Sequence, residues 1–181
     1  NPSTTSGRSA DDEYQRTFGA LFAVYWLVRY DLDGAQAFTF GVDENWNPLN
    51  ESSAQPKRTS KELKQRSLFI LNMQWEKIHH VLAAAGILTS PEEHKVQHFP
   101  DRVLAILVLT AIHDVMKIVA LTPIVDAKHC TEWSGYKVGE TVIDHDAGLA
   151  YLLEFLPHCL PSYHGLPPTQ QESVKFTQCK M

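Results

Sequence analysis

The stretch LAILVLTAIHDVMKIVAL, Leu104 to Leu121, constrains the fold more than any other. Its apolar residues, among them Leu104, Ile106, Leu107, Val108, Ala111, Ile112, Val115, Met116 and Val119, occupy every face of a helix. A helix apolar all round is buried all round. Asp101, just after Pro100, stands where a first-turn acid belongs, and Thr122-Pro123 closes the segment. The spacing therefore predicts one long core helix. Yet His113 and Asp114 lie side by side at its centre, with Lys117 one turn on. Three ionisable groups near mid-bilayer are too costly for a membrane span.

A carboxylate buried without a partner takes up a proton, and an imidazole needs its ring nitrogens satisfied. Adjacent helical residues point about 100° apart, so His113 and Asp114 do not face each other, but both can converge on one cation beside the helix. A divalent metal meets that need, because it binds neutral imidazole and carboxylate together. The alternative is a polar core network in which Asp114 pairs with an arginine such as Arg66 or Arg102. On this segment alone both stay open.

A chain of 181 residues, 44% apolar and 20% charged, is sized and composed for one soluble globular domain. Its net charge of -5 carries no basic footprint for nucleic acid or an anionic membrane, which leaves small molecules or proteins as partners. Cys130, Cys159 and Cys179 form an odd set without C-x-x-C spacing, the pattern of free thiols in a reducing compartment, so a cytoplasmic protein is expected. NPSTTSGRSADDE, residues 1–13, is polar and lacks the layout of a secretory signal, which predicts a disordered tail. FGALFAVYWLVRY, Phe18 to Tyr30, is too short to cross a bilayer and reads as a buried or docking helix. Beyond it, Asp33-Gly34 and Asn47-Pro48 mark a long loop with a short hairpin around Ala37 to Val42. The final KFTQCKM carries no helix cap or other stop signal, as expected of a fragment of something longer.

Two more helices follow from periodicity. From Ser60, a possible N-cap, to Gly86, a suitable C′ residue, Leu68, Leu71, Trp75, Ile78, Leu82 and Ala85 draw one apolar stripe. His79 falls on the shoulder of that stripe and His80 points nearly opposite, so His79 is the one that can reach an interior site; the plainer alternative is a histidine bonded to backbone. A further helix begins near Gly139 and carries Asp144, His145 and Asp146 in its first part, ahead of Leu149, Leu152, Leu153 and Phe155. His164 follows in LPHCLPSYHGLPP, while His94, His98 and His129 read as surface residues. His79, His113, Asp114 and His145 each sit beside an apolar face, a metal-site constellation by residue type and placement.

These residues resemble the HD-domain superfamily. AIHDVMKI is similar to that family's dyad helix, H-D-x-x-K, with Met116 where glycine is common, and DHDAGLAYLLEFLP followed by PSYHGLPP is similar to the downstream stretch of its two-metal branch. The likeness covers about Trp75 to Pro168. It implies an all-α, HD-like bundle of five or more helices with an irregular N-terminal region, as a single domain over residues 14–181 whose core spans about 60–168. It implies His79, His113 and Asp114 as ligands of one metal, and His145 and His164 as candidates for a second. The family's usual late aspartate is absent, since the 17 residues after His164 contain none; Asp146 or Asp144 serves instead, the N-terminal segment contributes one, or the site is incomplete.

The activity implied is metal-dependent hydrolysis of a phosphomonoester or phosphodiester of nucleotide-like kind, with one or two divalent ions (Fe, Mn, Zn or Mg). Asp114 would ligate the ion and orient the nucleophile, and Lys117 would hold the phosphate; a solvated side chain is the plain alternative for Lys117. A related branch of the family builds a di-iron oxygenase from nearly the same residues. The reading from a different class is a non-catalytic helical interaction module with a degenerate site.

Overall fold

The computed structural model describes residues 8–29, 60–61, 64, 68, 71–72, 74–90 and 96–179. The expected hairpin around Ala37 to Val42 lies outside them. The protein is mostly helical, with one small two-stranded sheet among the described residues. It divides into two compact units, Asn1–Val24 with Pro100–Met181, and Tyr25–Phe99. No helix among the described residues is long and apolar enough to cross a membrane.

Helix α1 (Ala10–Val28) starts inside the segment expected to be a disordered tail. The reason is local. Ser9 Oγ accepts from Asp12 N–H at 3.1 Å and reaches the Asp12 carboxylate at 2.8 Å, a capping arrangement that also places three acids in the first turn. Tyr14, Phe18 and Phe22 remain more than half exposed on this helix.

In the second unit, α2 (Trp75–Ala84) is the last part of the helix expected from Ser60, of which residues 60–61, 64, 68 and 71–72 are helical as well. Gln74, at φ -93° and ψ 75°, interrupts the long helix that the stripe predicts. The stripe is buried only where a partner faces it: Leu82 joins Ile87 and Leu88 in the interior, whereas Leu71 is 79% exposed. The helix ends as expected at Gly86. With φ 67°, it lets Gly86 N–H bond Ala83 O and Ile87 N–H bond Leu82 O, the paired bonds of a Schellman cap. Beyond the cap, Leu88 and His98 form an antiparallel bridge. His98, expected at the surface, is half-buried, and its Nε2 contacts the Val28 carbonyl.

The first unit holds α3 (Pro100–Ile112), a hairpin of β1 (Glu132–Trp133) and β2 (Tyr136–Lys137), α4 (His145–Phe155), α5 (Pro161–His164) and α6 (Pro168–Cys179). The single helix expected over Leu104 to Leu121 is corrected here. It stops at Ile112 and continues as two 3₁₀ turns, Val115–Lys117 and Val119–Leu121. His113 Nδ1 bonds the Thr110 carbonyl at 2.9 Å, the acceptor that Asp114 N–H would use in a continuing α-helix. Nor is the segment buried all round: Ala105, Val108, Ile112 and Met116 face the core, while Leu104, Val119 and Leu121 are exposed.

That stripe packs with Leu149, Leu152 and Leu153 of α4, Tyr163 of α5, Leu166, and Val174 of α6. A second apolar group joins Val125, Val142 and Tyr151 to Trp133, Tyr136 and Phe155. The hairpin turn uses Ser134 (φ 49°) and Gly135 (φ 86°), both left-handed as a two-residue hairpin loop requires. Helix α4 starts at His145 rather than near Gly139. Asp144 caps it by accepting from Ala147 N–H at 2.9 Å, and Gly139 instead lies at φ 85°, outside the helical basin.

Gly148 lets α4 approach the Val115–Lys117 turn. A Cβ there would stand 3.5 Å from Met116 Cγ and 3.4 Å from Pro123 Cδ. Gly148→Ala is therefore expected to be tolerated, whereas Gly148→Val overfills the crossing and is expected to cost about 1–3 kcal/mol in urea unfolding. Equal stability of the two variants would disprove the close contact.

Candidate functional site

The break after Ile112 leaves Asp114 in a turn, at φ -108° and ψ 1°, rather than inside a helix. Its side chain is 17% exposed and four nitrogens surround it. On Oδ1, Lys117 Nζ lies at 2.6 Å and His145 Nε2 at 3.8 Å. On Oδ2, Arg8 Nη1 lies at 3.4 Å and His113 Nε2 at 3.7 Å. Burial pushes the Asp114 carboxyl up, but the hydrogen bond from Lys117 and the charges of His113, Lys117 and His145 outweigh it, holding the group below its ordinary value of 3.8.

The sequence-expected residues meet in part. His113, Asp114, Lys117, His145 and Asp146 come together, because α4 packs on the Val115–Lys117 turn and opens with His145. His145 Nε2 lies 3.5 Å from Asp146 Oδ1, which also accepts from Gln178 Nε2 at 3.0 Å. Asp144 serves as the helix cap. His164 ends α5 with an exposed ring that joins no part of this group among the described residues. His79 belongs to the second unit, where it is buried and its Nε2 contacts the Thr89 carbonyl at 3.2 Å; His80 beside it is exposed, as its helical position requires. Of the two arginines considered for Asp114, Arg102 reaches Ser173 instead, and Arg66 lies outside the described residues.

Arg8 and Glu13 were missed by sequence reasoning. Arg8 Nη1 donates to Glu13 Oε2 at 2.8 Å while also reaching Asp114. The signal that could have found them is the Ser9-x-x-Asp12 start of α1, which ties down the residues around it.

The group's fit to a metal rests on its donors. A carbonyl only accepts, so His113 Nδ1 carries the proton that bonds Thr110, and without a second ring proton Nε2 would face Asp114 Oδ2 with its lone pair. Two acceptors facing each other need a proton or a cation between them. Fixing the tautomer by a backbone carbonyl is also how ligating histidines are held. The nitrogen–oxygen separations of 3.5, 3.7 and 3.8 Å are close to the roughly 3–3.4 Å between two donors that share an ion at about 2.1 Å each. Among the described residues no three His, Cys, Asp or Glu side chains stand together in a ligating arrangement, so the fit is one of donor kind and pairwise spacing.

His129, expected at the surface, belongs to the second apolar group. Its ring stacks on Phe155 with centroids 5.0 Å apart, and its Nδ1 meets the Tyr151 hydroxyl at 2.6 Å. The same hydroxyl accepts from Asp126 N–H at 2.9 Å. Tyr151→Phe strips both groups of their partner and is expected to destabilise the protein by about 1–3 kcal/mol in urea unfolding; an unchanged midpoint would show that neither bond matters. The i, i+4 spacing of Tyr151 and Phe155 is the sequence trace of this aromatic face.

Comparison of the chain with models of protein families, with curated proteins and with solved structures finds no match.

Proposed function

We propose that the protein is a metal-dependent phosphohydrolase of the HD type, acting on a phosphomonoester or phosphodiester of nucleotide-like kind. The observation that carries the reading is the meeting of His113, Asp114, His145 and Asp146, from segments some thirty residues apart, with imidazole nitrogens turned toward carboxylate oxygens. Those four side chains would hold the ion. When bound, a divalent cation supplies a water acidified toward neutrality and positive charge for the phosphoryl oxygens. Within the chain, Thr110 keeps the proton of His113 on Nδ1, and Lys117, now on Asp114, is placed to swing to a phosphate. Arg8 adds a second cation beside the same carboxylate.

One observation favours a second reading. Lys117 and Arg8 already neutralise Asp114, as in a helical module whose polar cluster is purely structural. Metal analysis of protein purified without chelator separates the two. About one or two equivalents of iron, manganese or zinc, lost in His113→Ala and Asp114→Ala, are expected of the enzyme, together with Mn²⁺-dependent cleavage of chromogenic phosphate esters. Metal-free protein, inert towards the esters with Mn²⁺ added, would leave only the structural cluster.

A further inference from the structure

Helix α1 turns its bulkiest side chains away from its own core. At about 100° per residue, Glu13, Thr17, Ala20 and Val24 share one side, and these are buried or half-buried positions. Another side carries Tyr14, Phe18, Phe22 and Tyr25, which are 64%, 59%, 53% and 43% exposed. The Tyr14 and Phe18 rings stack with centroids 6.2 Å apart, one turn following the next along the ridge. An apolar face of this kind on a folded chain marks a surface that something covers. Its two ends say what. Asp11, exposed in the acidic first turn, lies on the ridge face, and so does Arg29, one residue past the last turn, whose guanidinium stands 5.6 Å over the Tyr25 ring. From Asp11 to Tyr14, Phe18, Phe22, Tyr25 and Arg29 the steps are 3, 4, 4, 3 and 4 residues. The ridge thus reads nearly alike from either end, with acid and base exchanged.

We propose that this face of α1 is the interface of a homodimer, in which two copies pair antiparallel about a two-fold axis level with Ala20. That arrangement sets Asp11 of each copy beside Arg29 of the other and Phe18 beside Phe22, and the two-fold makes every such contact twice. Parallel pairing would set acid against acid and base against base. Aromatic side chains of roughly 150–250 Å² each, about half exposed, supply about 300–500 Å² per copy, short of the roughly 800 Å² per partner of a stable complex. The dimer is therefore reversible, forming as concentration rises. The inference draws nothing from the Asp114 cluster and stands or falls apart from the metal-dependent reading.

The test is sedimentation equilibrium of the full chain from about 1 µM to about 500 µM, for wild type, Phe18→Glu, Tyr14→Glu, Asp11→Arg, Arg29→Asp and the double variant Asp11→Arg/Arg29→Asp. Circular dichroism confirms folding of each. The wild-type mass is expected to rise from the 20.4 kDa of one chain towards twice that value. Phe18→Glu is expected to stay monomeric; should it not fold, Tyr14→Glu makes the same comparison. Each single charge reversal sets like charges together and is expected to weaken association about tenfold, whereas the double reversal restores the opposite pairs and returns it to the wild-type strength. A wild-type chain that is monomeric throughout overturns the proposal. So does a dimer that keeps its strength with glutamate on the ridge, because the copies would then meet elsewhere. A double reversal no stronger than the single ones overturns it too, since antiparallel pairing requires the rescue.

Discussion

Leu149→Ala is expected to cost the protein about 2–5 kcal/mol, a large part of the roughly 5–15 kcal/mol that holds a domain together. Leu149 has no exposed surface and lies in the group that joins α3, the Val115–Lys117 turn, α4 and α6. Truncation removes its own apolar area and leaves a hole in a group whose other members, such as Ile112, Met116 and Val174, are held on separate elements. Such walls relax only in part, so the cavity adds to the lost transfer energy. The midpoint of thermal unfolding is expected to fall by several degrees. Leu121→Ala is the matched control, since Leu121 is half exposed and the same truncation there is expected to change stability by less than about 0.5 kcal/mol. Equal effects of the two would mean that α4 is not the centre of this core.

On the proposed phosphohydrolase reading, Asp114→Asn is expected to reduce Mn²⁺-dependent ester cleavage at least a hundredfold, roughly the scale of losing one positioned catalytic group. Asparagine keeps the shape of the side chain and removes the charge that Lys117, Arg8 and the two imidazoles surround. A second readout needs no substrate. The Asp114 carboxyl is held below its ordinary 3.8 in the folded protein, so its contribution to stability is present above that value and is lost as pH falls through the lower, folded one. Wild type is therefore expected to lose its stability advantage over Asp114→Asn as pH drops below about 4, when urea midpoints are followed across the acid range. An advantage that grows towards acid would mean that the carboxyl is raised in the folded state. Cleavage unaffected by the substitution would remove Asp114 from the chemistry.

The sequence put His79, His113, Asp114 and His145 in one constellation because each stands beside an apolar run; His113, Asp114 and His145 do lie together, while His79 belongs to the second unit. It also placed the Gly86 stop and the inward side of His79, since a left-handed cap and a 3.6-residue period are local properties. The break at His113 was not legible. An unbroken apolar run looks the same whether it continues as an α-helix or tightens into 3₁₀ turns, and the competition for the Thr110 carbonyl is a side-chain event. The hairpin at Trp133 and Tyr136 was hidden because Ser134, at φ 49°, takes a conformation that serine seldom adopts, and because paired strands of two residues carry no period. Arg8 and Glu13 were taken for tail because the Ser9-x-x-Asp12 start of α1 went unread and because Asp114, which Arg8 reaches, lies about a hundred residues away.

The end of α3 and the start of α4 meet at the same few side chains, and that has an electrostatic consequence. The final turn of a helix carries about half a negative charge and the first turn about half a positive one. Asp114 follows the electronegative pole of α3, and His145 opens the electropositive pole of α4, within 3.8 Å of it. The backbone itself thus sets up a gradient across the cluster. The backbone alone favours positive charge at the Asp114 end of the cluster, where Lys117 and Arg8 lie, and negative charge at the His145 end.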